Sequence, residues 1–197
     1  MKKGIAFFDF DGTITTKDTL LEFIKYNKGN LRFYLGFLLN SPYLLAYKLK
    51  IISNQSAKEK VLRFFFKNMP LAHFEQKCRD FTAHALPALM RPKALEEIKN
   101  LQQQGISVVI VSASPENWIQ TWANMMQAKL IATRLEVKNN QLTGKINEFN
   151  CYGEEKVRRI MQNYRLSEYD AIFAYGDSSG DKPMLSLATR SHYKPFR

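Results

Sequence analysis

A chain of 197 residues, 45% hydrophobic and 24% charged, is long enough to enclose a sizeable core and too apolar to be disordered. Its two cysteines, Cys78 and Cys151, match neither a Cys-x-x-Cys metal spacing nor a disulfide framework, so a zinc ribbon and a disulfide scaffold are excluded and a reducing, cytoplasmic setting is expected. The net charge of +11 is concentrated: Asp18 to Lys93 carries 13 Lys and Arg against 5 Asp and Glu, with only +1 before it and +2 after it. Such a segment suits an anionic substrate, an anionic membrane surface, nucleic acid, or simply a solvated helical face. No secretory signal is expected, because the apolar run after Lys3 is short and Asp9 breaks it. The charge-free, aromatic-rich stretch Phe33 to Tyr47 falls short of the ~20 residues that a spanning helix needs.

Gly4 to Phe8 reads as a buried strand that delivers Asp9 and Asp11 where it ends. Strand alternation sends both carboxylates to one side, and Gly12 with Thr13 lets the backbone turn and bring amides near whatever those carboxylates hold. Helical patterns follow, with Asp18 or Thr19 as N-cap: a first stretch from Leu20, then Leu31 to Lys50 with a break at Pro42, Ser56 to Lys67, and Leu71 to Ala85. The dense aromatics here, Phe33, Tyr34, Phe37, Tyr43, Tyr47 and Phe64 to Phe66, are read as core and not as a nucleic-acid stacking surface.

From Lys93 helix and strand alternate. Ala94 to Gln104 is amphipathic and closed by Gly105; Ile106 to Val111 is a β-branched strand ending in Ser112-Ala113-Ser114, with Ser114 as cap of the next helix. Ile131 to Glu136 and Leu142 to Ile146 flank Asn139-Asn140 as a hairpin. Gly153 to Asn163 is helical and carries Lys156 in its first turn. Ala171 to Tyr175 is the last core strand, running into Gly176-Asp177-Ser178-Ser179-Gly180-Asp181, and Ser191 to Phe196 adds an edge strand. His73, His84 and His192 stand apart from every motif, and Cys78 reads as core.

The alternation predicts an α/β fold, a doubly wound, Rossmann-like parallel sheet, with residues 18–91 as an all-helical cap inserted into a core of residues 1–17 and 92–197. In such sheets function gathers at the carboxyl ends of the strands, and Asp9/Asp11, Ser112 and Asp177/Asp181 all fall there. Several carboxylates in one pocket require a compensating cation, and Mg²⁺ suits an oxygen-rich site that also takes phosphate. Lys156 and Ser112 would serve anionic oxygens, so the inventory describes phosphoryl transfer.

Asp9-Phe10-Asp11-Gly12-Thr13, Ser112 at the end of its strand, Lys156 and Gly176 to Asp181 resemble, in order, the motifs of the haloacid dehalogenase superfamily of aspartate-nucleophile hydrolases. The helical insertion after the first motif, and Ala132 to Glu136, resemble its phosphoserine-phosphatase-like branch, subfamily IB. The resemblance implies Asp9 as nucleophile, forming an aspartyl-phosphate, and Asp11 as general acid/base. It implies a phosphate cradle of Ser112, Lys156, Gly12, Thr13 and Ala113, the first two through side chains and Gly12 and Thr13 mainly through amides. It implies an Mg²⁺ site from Asp9, the backbone oxygen of Asp11, Asp177, and Asp181 through water.

Asp18 stands where phosphoserine phosphatases have a Glu, and Lys58 or Lys60 is the nearest cap cation to a substrate carboxylate. These three are the specificity candidates. The partner expected is a small phosphorylated substrate, phosphoserine-like or histidinol-phosphate-like, and not nucleic acid. A phospholipid head-group phosphatase at a membrane surface ranks below it, as does a receiver-like phospho-acceptor domain that signals without turnover.

Overall fold

The computed structural model describes residues 3–197. Strand β1 (Gly4–Phe8) is buried along its whole length and hydrogen-bonds in parallel on both sides. A wide turn follows it, closed by Thr15 N–H donating to the Phe10 carbonyl (3.0 Å). Helices α1 (Thr19–Lys48), α2 (Asn54–Phe66) and α3 (Leu71–His84) then precede α4 (Pro92–Gln103). The rest alternates: β2 (Ser107–Pro115), α5 (Glu116–Met125), β3 (Lys129–Thr133), β4 (Leu135–Lys138), β5 (Gln141–Ile146), α6 (Glu154–Asn163), β6 (Ala171–Gly176), α7 (Lys182–Leu185) and β7 (Arg190–Tyr193).

The main sheet has the order β3-β2-β1-β6-β7 with every pair parallel. Alternate β1 residues feed opposite faces. Ile5 and Phe7 join Val109, Ile160 and Met184 on one side, while Ala6 and Phe8 join Ile98, Ile110 and Trp118 on the other. Connections leave β1 toward β2 on one flank and the chain returns to β6 on the other, so the switch point of this doubly wound sheet lies at the carboxyl end of β1, where Asp9 sits.

Several local expectations are corrected. α1 breaks at Gly29 (φ 76°, ψ 164°), not at Pro42. Pro42 stays inside the helix because the Leu38 carbonyl, which its missing N–H would have served, accepts instead from the Ser41 hydroxyl (2.7 Å). Ile131–Thr133 belongs to β3 of the main sheet, and the hairpin's first strand starts only at Leu135. Ser114 caps no helix: β2 runs on to Pro115, with a register shift against β3 that leaves Ala113 and Ser114 without a paired residue there. The N-cap of α1 is Asp18, which accepts from Leu21 N–H (3.1 Å).

The helices between residues 18 and 91 centre on Phe23, whose ring meets Phe66, Phe74, Phe81 and, stacked at 4.6 Å, Trp118 of α5. Gly36 lets α1 approach α2: a Cβ there would sit 2.2 Å from the Phe65 ring. The β4–β5 hairpin is also tied to these helices, through Asn68 N–H to the Leu142 carbonyl (2.8 Å) and Leu71 N–H to the Asn140 carbonyl (2.8 Å). The core reading of the aromatics holds for part of the set. Phe33, Phe65 and Phe66 are buried, whereas Tyr34, Tyr43, Tyr47 and Phe64 are exposed along with many leucines of α1.

Candidate active site

The end of β1, the turn after β6 and the first turn of α6 meet at one rim. Lys156, buried on α6, donates to Asp9 Oδ1 (2.6 Å) and to Asp181 Oδ1 (2.7 Å). Asp9 Oδ2 accepts from the buried Thr13 hydroxyl (3.2 Å). Asp181 Oδ2 accepts from the Ser178 hydroxyl (2.7 Å), Ser178 N–H (2.9 Å) and Asp177 N–H (3.2 Å), so this carboxylate is saturated by the turn that carries it. Asp177 is paired with the Arg197 guanidinium.

Gly12 has φ +81°, and a Cβ there would lie 2.5 Å from Asp177 Oδ2; the carboxylate occupies the space that a side chain would fill. Asp9, Asp177 and Asp181 each offer an oxygen within 4.8 Å of the others, and a set made wholly of hard carboxylate oxygens fits Mg²⁺.

Asp11 belongs to a second set. Its Oδ1 accepts from both the N–H and the hydroxyl of Thr19 (2.6 Å each), and its Oδ2 accepts from Ser112 (3.4 Å). The Thr19 hydroxyl in turn accepts from Trp118 Nε1 (3.0 Å), which anchors this arm in the core. The two aspartates are separated by the turn at Phe10 and not by strand alternation, since β1 stops at Phe8.

Burial pushes the Asp9 carboxyl up to about 7 against the pull of Lys156, with Asp181 and Asp11 adding to the rise. Burial also presses on Asp181, but Lys156 and the Ser178 donors outweigh it and hold that group below the usual carboxylate range. For Lys156 the desolvation cost is exceeded by the two carboxylates, which hold its ammonium above the normal lysine range. Burial raises Asp177 as well. Three acids face the Lys156 ammonium and the Arg197 guanidinium, and the one carboxylate left in excess is what a divalent cation would offset.

A cavity of about 330 Å³ opens onto this rim and is lined by Asp9, Asp11, Ala113, Lys156 and Asp181, together with Asp18 and Lys58. Asp18, at its solvent-accessible mouth, is raised to about 6 by the surrounding protein and by Asp11. Lys58 is held below the usual lysine range by burial, despite Asp18 and Asp11, and donates to the Ala113 carbonyl (2.6 Å) and Asn150 Oδ1 (3.3 Å).

Other predicted residues sit differently. Lys60 is not among the cavity's lining residues; its ammonium lies 4.7 Å over the Tyr43 ring. Ser112 is fully buried and not among the cavity's lining residues, bonding Asp11 and accepting from Ser114 N–H (3.0 Å). The contact Thr13 makes in the site is through its hydroxyl, to Asp9, and the Gly12 amide is taken up by the Thr15 hydroxyl (3.3 Å). Thr19, Asn150, Tyr152 and Ser178 were not singled out from sequence as site residues. For Thr19 the one signal was a β-branched hydroxyl at a helix start, facing a core Trp that only the fold brings near.

With the geometry in view, likeness to known proteins can be weighed. The haloacid dehalogenase-like hydrolase family matches residues 6–186. Protein CicA of Caulobacter vibrioides is 34% identical over 194 residues, covering 96% of this chain and 85% of its own. The Mycobacterium tuberculosis protein named "Probable phosphatase Rv3661" is 31% identical over 192 residues, covering 91% of this chain and 64% of its own. A substrate-bound phosphoserine phosphatase shares the fold at a TM-score of 0.66 and 20% identity, covering 98% of this chain and 86% of that one.

A parallel sheet with an acid-lysine site at its switch point defines a doubly wound α/β protein whose chemistry lies at the carboxyl ends of its strands. The chain belongs to the haloacid dehalogenase-like hydrolases, and its fold is that of their phosphoserine-phosphatase-like branch.

Proposed function

We propose that this hydrolase is an Mg²⁺-dependent phosphomonoesterase that works through an aspartyl-phosphate on Asp9, with residues 18–91 as a cap that closes the substrate cavity. The observation that carries the reading is the convergence of Asp9, Lys156 and Asp181, remote in sequence, within hydrogen-bond distance at the end of the central strand. The name of the mycobacterial relative and the fold shared with phosphoserine phosphatases support it. The match to the hydrolase family favours turnover over a receiver-like signalling domain.

In this mechanism an Asp9 carboxylate oxygen attacks phosphorus and the bond to the alcohol oxygen breaks. Asp11, oriented by Thr19, gives that oxygen a proton. Water then attacks the aspartyl-phosphate, Asp11 takes its proton back, and the bond between phosphorus and Asp9 breaks to release phosphate. Lys156 offsets negative charge on the phosphoryl oxygens while holding Asp9 in place. Asp9, Asp177 and the Asp11 backbone oxygen would hold Mg²⁺, with the saturated Asp181 acting through water. The ion, when bound, supplies positive charge that polarises the phosphoryl group and keeps Asp9 ionised.

The test is Mg²⁺-dependent release of inorganic phosphate from a panel of phosphomonoesters, with Asp9→Asn as control. Release that requires both Mg²⁺ and Asp9 is expected. Undiminished release by the Asn variant would refute the assignment.

A further inference from the structure

The second half of α1, Asn30 to Lys48, has two apolar faces instead of one. Phe33, Gly36 and Asn40 are buried inward, and Phe37, Leu44 and Tyr47 on that same side line the catalytic cavity. On the opposite side, at spacings of four and three, stand Leu31, Leu35, Leu38, Pro42, Leu45 and, at the C-cap, Leu49. All are exposed, Leu31 at 83% and Leu38 at 68%. A helix that packs on a protein by one face ordinarily turns charge outward on the other. Here no charged residue occurs between Phe33 and Tyr47.

The charges lie at the ends of this stripe. Lys28 and Arg32 flank its first leucine, and Lys48 and Lys50 its last. From Lys28 to Lys67 there are eight Lys and Arg against a single acid, Glu59. A leucine stripe bracketed by cations is the pattern of a helix lying in the plane of an anionic lipid surface, with leucines among the acyl chains and ammonium groups at the phosphates. A protein partner would have to match the same row of leucines with a basic rim. No described helix is long and apolar enough to cross a membrane, which leaves the plane of the surface for this one.

The cavity wall favours the same ligand chemistry. Beyond the acids and the two lysines its wall is mainly apolar, from Leu20, Leu21, Phe37, Leu44 and Val61, with Asn54, Ser114, Asn150 and Ser178 as its neutral polar part. A small zwitterionic phosphate would find only Asp18 and Lys58 as countercharges, and the Lys58 ammonium is already engaged by Ala113 and Asn150.

We propose that the outer stripe of α1 seats the enzyme on anionic phospholipid and that its substrate is an amphiphilic phosphomonoester, whose phosphate reaches Asp9 along the apolar cavity on the inner side of that helix. The substrate half rests on the phosphatase reading above; the docking half does not.

The test uses the full chain and the variant carrying Leu35→Ser, Leu38→Ser and Leu45→Ser, three exposed positions outside the cavity. Wild type should co-sediment with vesicles of phosphatidylcholine and phosphatidylglycerol in equal parts, and far less with pure phosphatidylcholine; the variant should lose at least tenfold in binding. Phosphatidic acid in such vesicles should be hydrolysed with kcat/KM at least tenfold above that for glycerol phosphate. The variant should lose that preference while releasing phosphate from soluble p-nitrophenyl phosphate at the wild-type rate.

Absence of sedimentation with either vesicle overturns the docking, as does light scattering that shows a dimer in wild type and a monomer in the variant. Equal turnover of lipid and glycerol phosphates overturns the substrate class. No turnover of any phosphate ester would count against the phosphatase reading and the substrate class with it, while sedimentation still decides the docking.

Discussion

The ammonium of Lys156 lies 2.6 Å from Oδ1 of Asp9, across 147 residues of sequence and with both side chains buried. Since the same ammonium also serves Asp181, it is the fixed cation around which the acidic end of the site is built. Removing one partner of such a buried group strands the remaining charges. Lys156→Met should therefore abolish phosphate release and lower folding stability by roughly 3–5 kcal/mol in a urea titration. Stability equal to wild type would show that the acids do not depend on this lysine.

The raised Asp9 carboxyl gives the metal-free protein a pH dependence of definite sign. Its folded value of about 7 exceeds the ordinary 3.8, so the native state binds more protons than the unfolded chain between these values. Stability from this group is greatest at low pH and falls as pH rises from about 4 to about 7, by on the order of 4 kcal/mol at most. In chelator, thermal melts should lose stability over that window, Asp9→Asn should flatten the loss, and added Mg²⁺ should restore stability most at the alkaline end. A metal-free wild type that gains stability over the same range would contradict this.

Gly12 makes room for Asp177. Gly12→Ala combines a positive φ with a Cβ 2.5 Å from the Asp177 carboxylate. A cost of about 1–2 kcal/mol from the backbone alone is expected. Displacement of Asp177 should weaken Mg²⁺ activation by tenfold or more, read as the metal concentration giving half-maximal rate. An unchanged Mg²⁺ requirement would place Asp177 outside the metal site.

Thr19 orients the acid/base candidate. Thr19→Val removes the hydroxyl bonds to Asp11 and Trp118 while keeping the N–H bond and the side-chain shape. Loss of one hydrogen bond to a charged group should lower kcat by roughly tenfold with little change in KM. An increase in KM alone would assign Thr19 to substrate binding instead.

The fold was readable where local pattern and tertiary demand agree. The uninterrupted apolar runs of β1, β2 and β6 announce buried parallel strands; Asp9 and Asp177 follow the ends of β1 and β6, while Ser112 lies inside β2, which runs on to Pro115. Legibility failed where one side chain compensates for another. Ser41 rescues the carbonyl that Pro42 abandons, so the helix continues past a residue that reads as a stop. It failed also where partners are distant: nothing local couples Thr19 to Trp118, or shows that Ser112 is buried on Asp11 and does not line the cavity. The two-faced character of α1 was hidden because exposed and buried leucines look alike in sequence, and only their position around the helix separates them.

The central claim is that Asp9 takes the phosphoryl group. Acid quenching of the Mg²⁺-loaded enzyme during turnover of a radiolabelled phosphomonoester, followed by peptide mapping, tests it most directly. The label should sit on the peptide that contains Asp9 and be absent from Asp9→Asn. Turnover that continues in the Asn variant, or label that resides on any other residue, would contradict it.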